Sequence, residues 1–111
     1  MIKSKIKSNK IMANKNPIKD LNKVFDSRVR LGIMSALIVN EGLDFNALKN
    51  LLEVTDGNLA SHLKALEKNK FIAFKKKFVG RKPNTTYLIT KQGRLEFIQH
   101  LEALENLIKN G

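Results

Sequence analysis

Hydrophobic residues recur at helical spacing from Ile18 to Leu66, whereas residues 1–15 have no useful periodicity. Asn16-Pro17 is typical of a helix cap followed by a first-turn proline. The residues after this cap that share one helix face are Ile18, Leu21, Val24 and Phe25. A second helix is predicted from Arg28 to about Asn40, with Ser27 as its cap and Gly42 at its end. Its inward positions are Val29, Ile33, Leu37 and Ile38.

Two shorter helices follow, joined by a tight connection. Leu43-Asp44-Phe45 is long enough for one extended crossing, and a helix is then predicted from about Asn46 to Glu53. Val54-Thr55 connects it to a helix from about Asp56 to Asn69. The positions predicted to be buried are Leu48, Leu51 and Leu52 in the first of these helices and Leu59, Leu63 and Leu66 in the second.

After this fourth helix the pattern changes from helical to alternating. FIAFKKKFV (residues 71–79) and TYLIT (residues 86–90) predict the two strands of a β-hairpin, with GRKPNT as its turn. Thr90 can cap a last helix that runs to about Ile108. The predicted fold class is mostly α with a small β-hairpin wing: a winged helix-turn-helix with an extra terminal helix.

Composition limits the class of protein. A chain of 111 residues with 42% hydrophobic residues can build one domain, predicted for residues 16–111, after a basic disordered arm at residues 1–15. The absence of cysteine excludes disulfides and thiolate zinc sites, and agrees with a reducing cytoplasm. We expect no secretory signal, because Ile2, Ile6 and Ile11 are isolated among lysines and form no continuous apolar segment. We expect no membrane partner, because the longest mostly apolar run, GIMSALIV, is too short to span a bilayer.

The net charge of +11 is concentrated in two segments. Residues 1–16 carry +5 and residues 64–82 carry +7, whereas the segments between and after them are close to neutral. A polyanion would bind at these two segments. The alternative is a lysine- and asparagine-rich composition in which lysine simply covers the surface.

Part of the chain resembles a known group of proteins. LASHLKALEKNKFI (residues 59–72) resembles the recognition helix and first wing strand of the MarR/ArsR-type transcriptional regulators. With FVGRKPNTTYLIT and a following glycine, it is similar to the small stand-alone winged-helix DNA-binding regulators of bacteria and archaea; DSRVRLGIMSAL (residues 26–37) resembles their opening core helix. The resemblance implies a cytoplasmic, homodimeric transcription factor and does not include residues 1–15.

The face of the fourth helix opposite its buried leucines is polar at its start and basic further on. In a helix-turn-helix, the start of the second helix enters the major groove. Gly57 would allow close backbone approach, Asn58 suits adenine, and Ser61 can meet any base. The alternative is an ordinary solvated face. The candidate DNA-binding residues of this helix are Thr55, Gly57, Asn58, Ser61, His62, Lys64 and Lys68.

The histidines leave one question open and argue against a metal. His62 lies at the edge of the buried stripe, where it could contact a phosphate or pack with a hydrogen bond under the wing. His62 and His100 are the only histidines and fall on different elements. We therefore expect no metal site and no cofactor.

The hairpin would supply a second DNA contact. Its candidate residues are Lys75, Lys76, Lys77, Arg81 and Lys82. Arg81 at the turn, shaped by Gly80 and Pro83, suits a narrow minor groove. The alternative is a solvated hairpin whose charges prevent edge-to-edge pairing.

The last helix is predicted to join two subunits. Phe97, Leu101, Leu104 and Ile108 form a seam, while Leu95 and Ile98 lie on another side and can pack onto the domain. Packing of the seam within the monomer is the alternative. The candidate dimerisation residues are Ile18, Leu21, Phe25, Phe97, Leu101, Leu104 and Ile108.

These features predict a transcriptional regulator and not an enzyme, since neither a phosphate-binding glycine loop nor a catalytic motif is found in the sequence. We expect a homodimeric repressor on pseudo-palindromic double-stranded DNA. Helix 56–69 would lie in the major groove, and the wing, residues 71–90, on the minor groove or backbone. The alternatives are a winged-helix module for protein contact and a nonspecific nucleic-acid or chromatin-packing protein. The sequence identifies neither an operator nor an effector.

Overall fold

The computed structural model describes residues 16–110, which form four α-helices and a three-stranded antiparallel sheet. The helices are α1 (Arg28–Ile38), α2 (Phe45–Leu52), α3 (Asp56–Lys68) and α4 (Lys91–Asn110). The strands are β1 (Leu43–Asp44), β2 (Ile72–Val79) and β3 (Lys82–Ile89), in the order β1-β3-β2. The predicted fold class is confirmed. The predicted basic arm, residues 1–15, lies outside the described residues.

The prediction of a first helix that begins after Asn16 is wrong. Residues 17–20 form a turn, and the only helical piece before α1 in the described chain is a short 3-10 helix, Lys23–Phe25. The side chains of Asn16 and Asn22 each accept a hydrogen bond from the backbone N–H two residues further on, at 3.0 and 2.9 Å. Such local bonds offer the backbone an alternative to the α-helix, which explains the error.

α1 begins as predicted and ends earlier. Ser27 caps it by accepting from the Arg30 N–H. At the other end, the Asn40 side chain donates to the Ala36 carbonyl at 2.7 Å, and Gly42 does not end the helix. Gly42 instead lies against β3, where an added β-carbon would stand 2.8 Å from the Thr86 methyl group.

α2 is an eight-residue helix with a narrow buried face. Leu48 is fully buried, and the Leu52 side chain packs onto Gly32 of α1. Leu51, which was predicted to be buried, is 60% exposed. The three leucines span more of the helix circumference than α1 covers, so the one on the outer side remains in solvent.

The hairpin is longer and its turn tighter than the sequence predicts. Val79 pairs with Lys82, so the turn consists of Gly80 and Arg81 alone. Gly80 has φ +68°, a left-handed conformation that favours glycine. Pro83 lies within β3 although it has no N–H to donate, because β1 pairs with β3 only further along the strand.

The Phe25 side chain connects three elements in the core. Its ring centroid lies 5.4 Å from that of Phe71 at the base of the wing and 5.3 Å from that of Phe97 in α4. The His100 ring lies 5.1 Å away. These distances are typical of favourable aromatic pairs. The 3-10 helix is therefore anchored by its last residue, despite its length.

The beginning of α4 is held directly against the beginning of β2. The Thr90 hydroxyl accepts from the Gly93 N–H at 2.8 Å, which confirms the predicted cap, and donates to the Lys70 carbonyl at 2.7 Å. The Thr90 N–H donates to the Phe71 carbonyl at 3.0 Å. A β-carbon at Gly93 would overlap that same carbonyl, so only glycine fits there.

A buried histidine fastens the segment before α1 to α4. The Asn22 N–H donates to His100 Nδ1 at 3.0 Å, and the Asn22 side chain donates to Glu96 at 3.2 Å. His100 is buried. Burial lowers its pKa below the usual 6.5, and Asp26 acts weakly in the opposite direction.

Within residues 16–110, no helix has the length and apolar character needed to cross a bilayer.

We expect acid to weaken the fold through His100. Folding favours the neutral imidazole, so just below pH 6.5 the unfolded chain binds more protons. The free energy of unfolding should therefore rise with pH in that range. The contribution of His100 to this free energy should be lost as the pH falls through the folded-state pKa of His100. Urea unfolding at about pH 5.5 and pH 7.5 measures this difference.

The matched control is His100→Gln, which keeps an acceptor for the Asn22 N–H but does not titrate. This variant should show a smaller difference between the two pH values than the natural chain. Equal pH dependence in both chains would exclude His100 as the source.

Candidate nucleic-acid interface

α2 and α3 form a helix-turn-helix through a turn without glycine. Glu53 adopts a left-handed conformation, φ +54°, and its N–H donates to the Lys49 carbonyl at 2.9 Å. The Thr55 hydroxyl then caps α3 by accepting from the Asn58 N–H. Lys49 Nζ lies 2.8 Å from the Asp56 carboxylate, an exposed pair of modest value. The cap and the ion pair support a helix start that is poor in helix-forming residues.

α3 has one buried and one exposed face, as the sequence predicts. Leu59, Leu63 and Leu66 are at most 1% exposed. The exposed positions on the opposite side are Gly57, Asn58, Ser61, Lys64 and Lys68. An added β-carbon at Gly57 would meet nothing within 4 Å, so the fold itself does not require glycine there.

His62 joins α3 to α1. Its Nδ1 atom accepts from Arg30 Nε at 3.1 Å, and the same guanidinium donates to the Val24 carbonyl at 3.2 Å. Burial, and secondarily the Arg30 charge, lower the pKa of His62 and favour the neutral ring that this bond requires. The structure shows the hydrogen bond expected for a packed His62, made to α1 in place of the wing, and contact of His62 with phosphate stays a prediction.

The wing presents its cations on both faces of the hairpin. Lys75 and Lys77 lie on one face, and Lys76 lies on the other, where its Nζ is 5.7 Å from the centre of the Phe74 ring. Arg81 occupies the second position of the turn. The cations predicted for the wing are all exposed: Lys75, Lys76, Lys77, Arg81 and Lys82.

None of these cations is neutralised by a carboxylate of the described chain. Across residues 16–110, the ion pairs are Lys49–Asp56 and Lys109–Glu105. The lysines on the exposed face of α3 are likewise outside these pairs. The positive charge of α3 and the wing is therefore available to an external anion.

The tip of the wing is also apolar. Phe78 is 72% exposed and Val79 is 61% exposed, immediately before the turn that carries Arg81. The tip of the wing therefore combines exposed apolar side chains with exposed cations. Sequence reasoning treated Phe78 only as part of the strand pattern.

Arg28 is a further candidate that the sequence analysis missed. It lies at the first position of α1 and lines a cleft of about 380 Å³ together with Asn58 and the turn residues Glu53 and Val54. The side chain of Arg28 is exposed. Only the packing of α1 against the α2–α3 turn brings it next to Asn58, so no local sequence signal could have identified it.

The structure changes the predicted faces of α4 at Phe97, Leu95 and Ile98. Phe97 and Phe25, predicted to contact a second subunit, are each 1% exposed and lie in the core of the chain itself. Leu95 and Ile98, predicted to pack onto the domain, are 57% and 40% exposed. The inner face follows Gly93, Phe97, His100 and Ala103, because the close approach at Gly93 fixes which side meets the core.

The other predicted dimerisation residues differ in exposure. Leu101, Ile108 and Ile18 are exposed, whereas Leu104 and Leu21 are half-buried. The exposed apolar surface of α4 therefore keeps Leu101 and Ile108 from the predicted seam and adds Leu95 and Ile98.

No group of three or more potential metal ligands occurs within the part of the chain that the structure describes.

Comparison with known families agrees with this architecture. A family model described as "Winged helix DNA-binding domain" matches residues 29–108. The chain belongs to this winged-helix DNA-binding family. The match spans all four helices and the wing, and the resemblance to small winged-helix transcriptional regulators is confirmed.

Relatives of this winged-helix domain occur in archaea. It is 40% identical over 88 residues to an uncharacterized protein of Methanocaldococcus jannaschii, covering 79% of this chain and 96% of the relative. The structure of a transcriptional regulator homologue from Pyrococcus horikoshii matches with a TM-score of 0.69 and 30% identity, covering 82% of this chain and 95% of that one.

A more distant match shares the fold alone. The structure of Bacillus subtilis PadR, solved in complex with operator DNA, matches with a TM-score of 0.61 and 18% identity. The alignment covers 68% of this chain and 48% of PadR. The winged-helix fold is thus one that transcriptional regulators use.

We expect Gly57→Ala to stabilise the fold and weaken DNA binding. The position has room for a methyl group, and alanine is the better helix former, by less here than the roughly 1 kcal/mol of a helix interior because Gly57 is the second residue of α3. Thermal melting should rise, while a methyl group in the closest part of an α3–DNA contact should lower affinity for a selected duplex. Gln99→Ala, an exposed change on α4, is the control. Unchanged affinity in the stabilised Gly57→Ala variant would contradict close approach at this residue.

Proposed function

We propose that this winged-helix domain is a sequence-specific DNA-binding transcriptional regulator that acts as a homodimeric repressor on a pseudo-palindromic operator. The observation that carries the proposal is the exposed face of α3, which is polar at its start, basic further on and free of any packing role. The family description and the operator complex of PadR support DNA as the partner.

α3 would read base edges in the major groove. Asn58 can form a bidentate contact with adenine, and Ser61, one turn further, can contact any base. Gly57 permits the backbone to come close. Lys64 and Lys68 would then meet phosphate or guanine beyond the helix start. Arg28, across the cleft from Asn58, would add a contact at the same end of α3.

The wing would hold the flanking DNA. Its lysines offer contacts to phosphate on either side of the hairpin, which contribute affinity without reading sequence. Arg81 at the tip suits a narrow, A·T-rich minor groove. The exposed Phe78 and Val79 beside it offer apolar contact to the sugars that line that groove.

Two other functions would use the same fold. A protein-contact module would leave the α3 face without a role in DNA binding, and a nonspecific packing protein would bind all sequences equally. Selection from a random pool of duplexes distinguishes them. We expect a preferred site with two half-sites, and a pool without enrichment would favour nonspecific packing.

Loss of the Asn58 or Ser61 side chain should reduce discrimination and leave the fold intact. Both residues are exposed, so Asn58→Ala and Ser61→Ala should change the free energy of unfolding by no more than about 0.5 kcal/mol. Each should cost roughly 1–3 kcal/mol at the selected site and relax the preference at one position per half-site. Binding to a scrambled duplex should barely change, because the lysines remain.

Leu63→Ala is the stability control for these variants. It should lower the melting temperature through a cavity, at a cost of roughly 2–5 kcal/mol. If Asn58→Ala and Ser61→Ala both keep the full affinity ratio between selected and scrambled duplexes, α3 does not read bases, and the protein-contact function gains support.

Removing the wing lysines should lower affinity for all sequences. Each phosphate contact adds roughly 0.9 to the slope of log K against log salt concentration. Replacing Lys75, Lys76, Lys77 and Lys82 together with alanine should therefore reduce this slope in a binding titration. Arg81→Ala should weaken A·T-rich sites selectively. An unchanged slope after the fourfold replacement would remove the wing from the DNA.

A further inference from the structure

Between Lys91 and Glu105, the outward face of α4 is ordered by charge. Its first turns carry Lys91 and Arg94, its later turns carry Glu102 and Glu105, and Lys109 follows one turn after Glu105. Between these charges stand three exposed apolar residues, Leu95, Ile98 and Leu101. An apolar groove of about 590 Å³ lies at the basic end of this face.

The residues of this face are complementary to those of the same face on an antiparallel second copy. In two antiparallel helices of identical sequence, facing positions have residue numbers with a constant sum. With Ile98 facing Ile98 of a second copy, Leu95 faces Leu101 of that copy. The same register places Arg94 opposite Glu102 and Lys91 opposite Glu105. One antiparallel register therefore pairs all seven positions, apolar residues with apolar residues and basic residues with acidic ones.

A parallel arrangement would not share this property. It would place Arg94 beside Arg94 and Glu102 beside Glu102 of the second copy, which is repulsive. Glu105 already lies 3.5 Å from Lys109 on the same helix, but both side chains are more than half exposed. Such a pair contributes little and leaves the carboxylate free to meet a second cation.

We propose that a second copy of this chain covers the outward face of α4 in an antiparallel arrangement, with the two-fold axis at Ile98. The proposal rests on the proposed homodimer and specifies how it is built. The contact is isologous, since each copy contributes the same surface. A two-fold axis at this position gives the protein the symmetry of a pseudo-palindromic duplex.

Single cysteines test the register, because the natural chain has none. Ile98→Cys should form a covalent dimer under mild oxidation, since the two facing residues lie within the range that a disulfide bridges. Leu95→Cys and Leu101→Cys should each cross-link poorly alone and efficiently when mixed. Two copies of Leu95 would be about 9 Å apart along the axis.

The pattern of cross-linking distinguishes antiparallel from parallel helices. Self-cross-linking of equal efficiency at positions 95, 98 and 101 would indicate parallel helices and overturn the proposal. Ile108→Cys, at an exposed residue outside the register, is the matched control and should not cross-link. Thermal melts of all variants confirm that these exposed changes leave the fold intact.

Charge reversal provides a second test. Arg94→Glu or Glu102→Arg alone should raise the dimer dissociation constant at low salt by roughly 3- to 30-fold, since each disrupts two ion pairs per dimer. The double variant should restore it. Absence of restoration in sedimentation equilibrium would overturn the register.

Failure of this interface and failure of the proposed function give different results. A natural chain that sediments as a dimer but does not cross-link at position 98 overturns the register and leaves the proposed homodimer standing. A chain that stays monomeric at tens of micromolar overturns both the interface and the dimer. Site-specific binding of a single half-site would still be measured independently in either case.

Discussion

At the junction of α3, β2 and α4, one close backbone contact fixes the geometry of all three elements. Gly93 lies directly on the Phe71 carbonyl, and Thr90 donates its N–H to the same oxygen. The Phe71 N–H in turn donates to the Leu66 carbonyl at the end of α3. No side chain separates α4 from the base of the wing, so its direction is determined by hydrogen bonds with little freedom to vary.

The packing around Phe25 extends this junction to the other end of the chain. Its ring meets Phe71 and Phe97, one on each side of the junction, and the Asn22–His100 bond holds the preceding residues in place. The Arg30–His62 bond adds a polar connection between α1 and α3. The helix proposed to read DNA is thus supported from two directions, by apolar burial below and a hydrogen-bonded pair at its side.

Local signals in the sequence were sufficient where a segment makes its own structure. The cap at Ser27, the leucine stripe of α3 and the alternation that predicts β2 are such signals, and these elements agree with the structure. The first predicted helix failed for a local reason, the side-chain bonds of Asn16 and Asn22, whereas the other errors arose where distant residues decide. Apolar residues on two sides of α4 could not indicate which side meets the core, since that depends on Gly93 and Phe71. Likewise, the exposure of Leu51 and the proximity of Arg28 to Asn58 follow from how α1 and α2 pack.

The start of α3 derives its stability from groups other than those it exposes. The Thr55 cap, the Lys49–Asp56 pair and the buried leucines hold this turn in place, and Gly57 has open space around it. Natural selection can therefore act on the exposed positions with little effect on folding. A duplicated copy of this chain could change residues 57, 58 and 61 and acquire a new target while it kept the same scaffold. This separation of stability from surface chemistry makes the domain a favourable starting point for divergence.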